Sequence, residues 1–379
     1  MPRIYLDNSA TTPVLPEVAQ EVLRVMTADF ANPSSLHSPG IDAAMQLRRD
    51  RKVVADALRV SPEEVYFTSG GTESNNTVLF GVAEKFRRQK GRIIVSAIEH
   101  DAVLSPAKAL AQNGWDVVFI KAGADGKISS QAIQDALTDD TALVCLMLVN
   151  NETGAVQDVA SVSRMLKQVG SKTLLHCDAV QAFGKIAVHP RELGCDFLSV
   201  SAHKLHGPKG IGALYCRKEV RLPSRALGGG QENGFRSGTE ATELIAGFAK
   251  AVQLCTDLDA ARQQVTALNR QLRAGLSAIE NAQINSPNDG LEYILNVSFL
   301  GIRSEVLLRA LDAKGICISA GSACSKGNRS HVLTAQGFSA ARIDSAVRIS
   351  FSRLNTQNEI AVLLDALKEA TATLKRGKV

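Results

Sequence analysis

From residue 92 to residue 217, short β-rich apolar runs alternate with stretches whose apolar residues recur at helical spacing. The runs are "RIIVSAI", "DVVFI", "ALVCLMLV", "TLLHCDA", "DFLSVSA" and "IGALYCR". Between them lie "SSQAIQDALTD" and "DVASVSRMLKQV", behind Ser or Asp caps. Continuous apolar strands are buried on both faces, and helices between them supply the long crossovers that parallel strands need. The pattern predicts an α/β fold with a mostly parallel sheet covered by helices. Such sheets bind ligands beyond the carboxyl ends of their strands. Functional residues are therefore expected in the segments that directly follow the apolar runs.

Five segments meet that expectation. "VYFTSGGTESNN" ends a strand in Ser69-Gly70-Gly71-Thr72 and opens a helix, whose first backbone N–H groups suit a phosphate. "IVSAIEHDAV" leaves His100 past a strand, and "LVNNETG" does the same for Asn150, Asn151 and Glu152. In "LLHCDAVQAFGK", Asp178 follows an apolar run, where a carboxylate is costly unless a cation or strong donor faces it. In "VSAHKLHGPKGIGALY", Lys204 stands between His203 and His206. Each segment alone has a structural reading as a turn, a cap or a surface lysine. Together they match the needs of pyridoxal 5'-phosphate: a lysine for its aldehyde, a carboxylate for its pyridinium nitrogen, a phosphate cradle and a ring-stacking group. Lys204, Asp178, the Thr72 turn with Ser201 and His203, and His100 fill these in turn.

Composition excludes several other classes. A net charge of +5 spread over alternating segments does not form a nucleic-acid track, and 4% aromatic residues supply few stacking platforms. Seven cysteines without a C-x-x-C pair form neither an obvious disulfide framework nor a tetrahedral zinc site. No apolar stretch reaches membrane-spanning length, and "MPRIYLDNSATTP" lacks a signal-type apolar core. A cytoplasmic protein in a reducing compartment is expected.

A long helical region covers roughly 240–280, and after "NSPNDG" the pattern becomes α+β. This predicts a large cofactor-binding domain over residues 15–255. A smaller α+β domain comprises residues 1–14 and 256–379, with the long helix shared between the two.

The chain resembles the class V aminotransferase family and, within it, the cysteine desulfurases. The resemblance runs nearly end to end through "YLDNSATTP", "NPSSLHSPG", "TSGGTESNN", "EHDAV", "VNNETG", "HCDAVQAFGK", "SAHKLHGPKGIGALY", "GGGQENGFRSGTE", "SAGSACS" and "VRISFSR". It implies a pyridoxal-phosphate fold type I homodimer with its active site at the subunit boundary. It also implies L-cysteine as substrate and a sulfur-acceptor protein as partner. Lys204 then matches the Schiff-base lysine, Asp178 the pyridinium partner, and Gln181 the ligand of the phenolic oxygen. Asn151 would hold the ring and face the substrate. Gly71, Thr72, Ser201 and His203 would take the phosphate, with Thr239 reaching across from the other subunit. His100 would stack on the ring and exchange protons. Arg348 resembles the clamp of the substrate carboxylate, with Arg353 as the alternative.

"CISAGSACSKGNRSHVL" sets Cys324 among Ser, Gly, Lys and Asn, the composition of an exposed loop, with Lys326 and Arg329 near enough to favour a thiolate. The resemblance makes Cys324 the nucleophile that takes sulfur from L-cysteine as a persulfide and leaves L-alanine. The long form of the loop suits delivery to an iron–sulfur scaffold or a tRNA-thiolating enzyme; Ala320 and "SKGNRS" depart from the family's pattern and leave the acceptor open. Three rivals stand beside this reading: a selenocysteine lyase, another class V aminotransferase and a catalytically silent sulfur-transfer scaffold.

Overall fold

A computed structural model describes residues 3–255, 257–320 and 329–374. Its twelve described strands are β1 (Ile4–Tyr5), β2 (Val65–Thr68), β3 (Arg92–Ser96), β4 (Asp116–Ile120), β5 (Thr141–Cys145), β6 (Leu174–Asp178), β7 (Phe197–Ser201), β8 (Gly212–Cys216), β9 (Ala282–Ile284), β10 (Ile294–Phe299), β11 (Ile316–Cys317) and β12 (Ala346–Ser350).

Seven strands form the central sheet in the order β2-β8-β7-β6-β5-β3-β4. β4, β3, β5, β6 and β7 pair in parallel, whereas β8 runs antiparallel to both β7 and β2. The reversal follows from chain length: only residues 202–211 join β7 to β8, too few for the helical crossover that a parallel return requires. Every residue of β5, β7 and β8 is buried, as their unbroken apolar runs predict.

Glycine is required where β8 passes the turn after β2. A Cβ on Gly212 would come within 2.5 Å of the Val200 carbonyl oxygen and 2.8 Å of the Gly70 Cα. Gly70 itself sits at φ +146°, a region closed to other residues, and launches the Gly71–Lys85 helix from the sheet edge. The carboxyl ends of β2, β6 and β7 therefore share one edge with that helix N-terminus.

The rest of the chain closes over this edge. A three-stranded antiparallel sheet has the order β12-β10-β9, and β1 pairs in parallel with β11. The single long helix expected over 240–280 is instead two. Thr242–Gln253 packs on the Pro16–Thr27 and Ser38–Leu58 helices, and Leu258–Leu276 packs on Gln357–Thr373. Asp257 causes the restart, its carboxylate accepting the Ala260 N–H as an N-cap. Apolar periodicity runs through the break and hides it.

Candidate active site

At the carboxyl edge of the large sheet lies a cavity of about 310 Å³. Gly71, Thr72, His100, Asn151, Asp178, Gln181, Ser201, His203, Lys204 and Arg348 all line it. Arg353 does not; its Nη1 donates to the Leu254 carbonyl at 2.5 Å. Thr239 is exposed and lies away from the lining. Cys324 falls outside the described residues.

Asp178 is the last residue of β6 and is buried. Its Oδ2 accepts the Asn75 amide at 2.7 Å and its Oδ1 accepts the Val180 N–H at 3.0 Å. The two bonds, one to each oxygen, fix the plane of a side chain that lines the cavity. Asn75 was not singled out in the sequence, where it reads as one polar residue in a helical stretch. The signal available was its position one turn after Thr72, on the helix that opens at the cavity.

Lys204 ends a short 3-10 turn directly after β7. Its Nζ donates to the carbonyls of Ser9 at 2.5 Å and Ala10 at 2.8 Å. These acceptors are backbone atoms, so no side chain announces them. The same N-terminal segment is tied to the lysine's neighbours. Thr12 donates to the His203 carbonyl from both N and Oγ1, and Thr11 Oγ1 lies 3.2 Å from His203 Nδ1. Burial first, then the nearby Lys204, Lys209 and Lys185, hold His203 down to about 4 and keep its ring neutral.

His100 caps the Asp101–Gln112 helix, its Nδ1 accepting the Ala102 N–H at 3.0 Å. In the neutral ring the proton then belongs to Nε2. The preceding Glu99 is fully buried; its Oε1 accepts from Ser96 Oγ and the Met147 N–H, both at 2.6 Å. Burial pushes this carboxyl up to about 8. Between roughly pH 4.5 and 8 the folded state thus holds a proton that the unfolded chain releases, so this group's contribution to stability falls as pH rises. Glu99→Gln, an isostere of the neutral acid, should gain on wild type by up to about 1.4 kcal/mol per pH unit across that window. Denaturant melts at pH 5, 6.5 and 8 check this; a difference independent of pH would refute it.

Arg348 is buried on β12, with Nη1 donating to the Asn151 carbonyl at 2.9 Å and Nη2 to Asp7 Oδ1 at 2.8 Å. Ser319 exchanges backbone hydrogen bonds with Arg348, and Ser330 Oγ donates to the buried Glu152 carboxylate at 2.5 Å. His331 lines the cavity, its Nε2 lying 2.9 Å from the Glu99 carbonyl oxygen. Ser319 and Ser330 are thus hydrogen-bonded to the lining residues Arg348 and Glu152. Asn150 plays the structural part open to it, its Oδ1 accepting the N–H groups of Glu152 and Thr153 in a tight turn.

These residues fit pyridoxal 5'-phosphate. A buried, doubly hydrogen-bonded carboxylate and a lysine line the same cavity, and the glycine turn offers a helix N-terminus to it along with Ser201 and His203. The volume is at the small end of cofactor pockets.

The match to known proteins agrees with the geometry. Over residues 4–363 the chain matches the aminotransferase class-V family, and it belongs to that family, whose enzymes depend on pyridoxal 5'-phosphate. Within the family its relatives include cysteine desulfurases of archaea, bacteria and yeasts. IscS of Methanosarcina thermophila, a cysteine desulfurase, is 39% identical over 376 residues, covering 98% of this chain and 93% of the relative. The solved structure of a NifS-like protein superposes with a TM-score of 0.94 at 38% identity, over 98% of this chain and all of the other. SspA, solved in complex with cysteine, superposes with a TM-score of 0.83 at 34% identity, over 93% of this chain and all of its own.

Proposed function

We propose that this protein is a cysteine desulfurase that moves the sulfur of L-cysteine onto Cys324, releases L-alanine and hands the persulfide to an acceptor protein. Acceptors in iron–sulfur cluster assembly or tRNA thiolation fit this chemistry. One observation carries the reading: Lys204, Asp178 and Arg348 line one cavity, and Ser319 and Ser330, which flank the stretch holding Cys324, are hydrogen-bonded to the lining residues Arg348 and Glu152.

Asp178, fixed by Asn75 and Val180, would hold the proton on the pyridinium nitrogen. Gln181 and Asn151 would hold the ring and His100 would stack on it, while Gly71, Thr72, Ser201 and His203 would take the phosphate. When bound, pyridoxal 5'-phosphate supplies an electron sink for the bond-breaking at the substrate's α-carbon. Arg348 holds the substrate carboxylate in an orientation set by Asp7 and Asn151. Lys204 takes the α-proton, and His100, protonated on Nε2, exchanges protons with the substrate. The Cys324 thiolate then attacks the substrate sulfur. A sulfur–sulfur bond forms as the carbon–sulfur bond breaks, and its electron pair stays with the three-carbon fragment, which is protonated and leaves as alanine.

With L-cysteine and a thiol reductant, purified protein should produce alanine and sulfide in equal amounts. Keto acid in place of alanine would assign a transaminase instead, and turnover confined to selenocysteine a lyase.

The residues of 15–255 form, in this reading, the cofactor domain, and 1–14 with 256–379 the smaller one. The active unit is a homodimer in which Thr239 completes the partner's phosphate site. Support comes from the surface: Leu23, Met26, Phe30, Leu36, Ile41 and Met45 are exposed within one short stretch of chain, a concentration expected of an interface. Sedimentation at nanomolar concentration should find dimer throughout; a fully active monomer would overturn it. All six described cysteines are free, which supports a reducing compartment, the cytoplasm.

A further inference from the structure

Lys185 is fully buried, seven residues past Asp178, and the mechanism above does not use it. Taking a lysine out of water is costly, and the cost is offset only where partners replace the lost hydration. Among the described residues its hydrogen-bond partner is the Gln181 Oε1, at 3.0 Å. The face of the Tyr293 ring lies 5.9 Å from its Nζ. Among the described residues the charged groups that act on it are Lys204 and Arg348, both cationic, and no described carboxylate offsets its burial. With burial as the larger cause, they hold its amine down to about 7.

What this placement does is visible in Gln181. A primary amide can sit in two orientations that exchange its oxygen and nitrogen. Here Oε1 faces Lys185, and Nε2 donates to the Ser9 carbonyl at 2.9 Å, the same carbonyl that accepts Lys204 Nζ. A carbonyl cannot donate a hydrogen bond, so Ser9 requires Nε2 whatever the charge on Lys185, and the ammonium form of Lys185 cannot accept one, so it requires Oε1. The two ends therefore select one orientation, which spends one Nε2 proton on Ser9 and leaves the second for the cavity that Gln181 lines.

We infer that Lys185 is a positioning residue: it locks the Gln181 amide with its NH₂ toward the cavity, where that group donates to an anionic oxygen of the bound cofactor. The inference rests on the reading of the cavity as the site of pyridoxal 5'-phosphate. It explains why an uncompensated lysine is kept in the interior, at a point where an apolar side chain of equal length would pack without desolvation.

The test separates stability from cofactor affinity. Lys185→Met removes the donor and the buried cation while keeping the length. The apo-protein should melt at or above the wild-type temperature, because the desolvated cation is gone. Pyridoxal 5'-phosphate, titrated into apo-protein and followed by its absorbance, should bind about tenfold more weakly, the scale of one hydrogen bond to a charged group. Gln181→Leu should weaken binding by a similar factor, and the double variant should be no weaker than Gln181→Leu alone. Lys185→Gln, which keeps an N–H donor, should recover most of the affinity. An apo Lys185→Met that fails to fold or melts lower makes Lys185 structural and overturns the inference. So does wild-type affinity in that variant, or additive losses in the double variant. If wild-type protein itself binds no pyridoxal 5'-phosphate, the reading of the cavity fails instead.

Discussion

Cys324→Ala should bind cofactor and L-cysteine as wild type does, yet form alanine at least about a thousandfold more slowly, the scale on which removal of a nucleophile acts. The expectation rests on the separation of two sets of residues. Asp178, Asn75, Gln181 and Lys204 reach the cavity from β6 and the turn after it, the Gly71–Lys85 helix and the turn after β7, and hydrogen bonds to Val180, Ser9 and Ala10 and between Asn75 and Asp178 tie them to parts of the chain far from Cys324. Cofactor binding should survive, and sulfur transfer should not. Cys324→Ser should be as inactive, because a hydroxyl is a far poorer nucleophile than a thiolate near neutral pH. Cys145 and Cys195 serve as controls: both are fully buried, and burial pushes both thiols up, out of the range of a working nucleophile. Replacing either should alter stability more than turnover. Alanine quantitation, paired with mass spectrometry of the peptide containing Cys324, measures the effect. Alanine at the wild-type rate from Cys324→Ala, or added sulfur on another peptide, would refute the assignment.

Loss of the amine should be as severe by a different route. Lys204→Ala should abolish turnover and, after borohydride reduction, yield no cofactor-modified lysine peptide, whereas wild type yields one that contains Lys204. Lys204→Arg should not rescue, although it restores a cation near the Ser9 and Ala10 carbonyls, because a guanidinium neither attacks an aldehyde nor moves a proton near neutral pH. The pair of variants thus distinguishes chemistry from charge. The two carbonyls lose a donor in the alanine variant, a cost of about 0.5–1.5 kcal/mol per bond, so the apo-protein should still fold and melt within several degrees of wild type. A trapped lysine elsewhere in the chain would show that Lys204 does not carry the cofactor.

Strand-end reasoning located much of this site because a buried strand gives an unambiguous apolar signal and its last residue is fixed in space by the sheet. Asp178, Ser201 and Lys204 are legible for that reason. What the sequence conceals has three physical causes. Backbone acceptors such as the Ser9 and Ala10 carbonyls carry no residue signature. Pairings distant along the chain, such as Asp7 with Arg348, depend on how the small sheet closes over the large one. Burial of a residue type that ordinarily sits in water, as with Lys185 and Glu99, leaves no trace in periodicity, since each falls just outside an apolar run. The split between the Thr242–Gln253 and Leu258–Leu276 helices was concealed for the opposite reason, its apolar spacing running on unbroken. The direction of β8 was readable from the length of its connection but not from its composition.

The segment after β1 carries a consequence for synthesis. Asp7 pairs with Arg348, Ser9 donates its N–H to Ser350 Oγ, and β1 pairs with β11, while the same segment supplies the carbonyls that hold Lys204. At ordinary rates of translation, on the order of 20–70 s separate the emergence of residue 7 from that of residue 348. The central sheet is complete long before then, so its strand ends wait open on the ribosome until the last tenth of the chain arrives. Lys204 and Arg348 consequently come to line one cavity only at the end of elongation, and a nascent chain interrupted before β12 carries a folded sheet with an unfinished pocket.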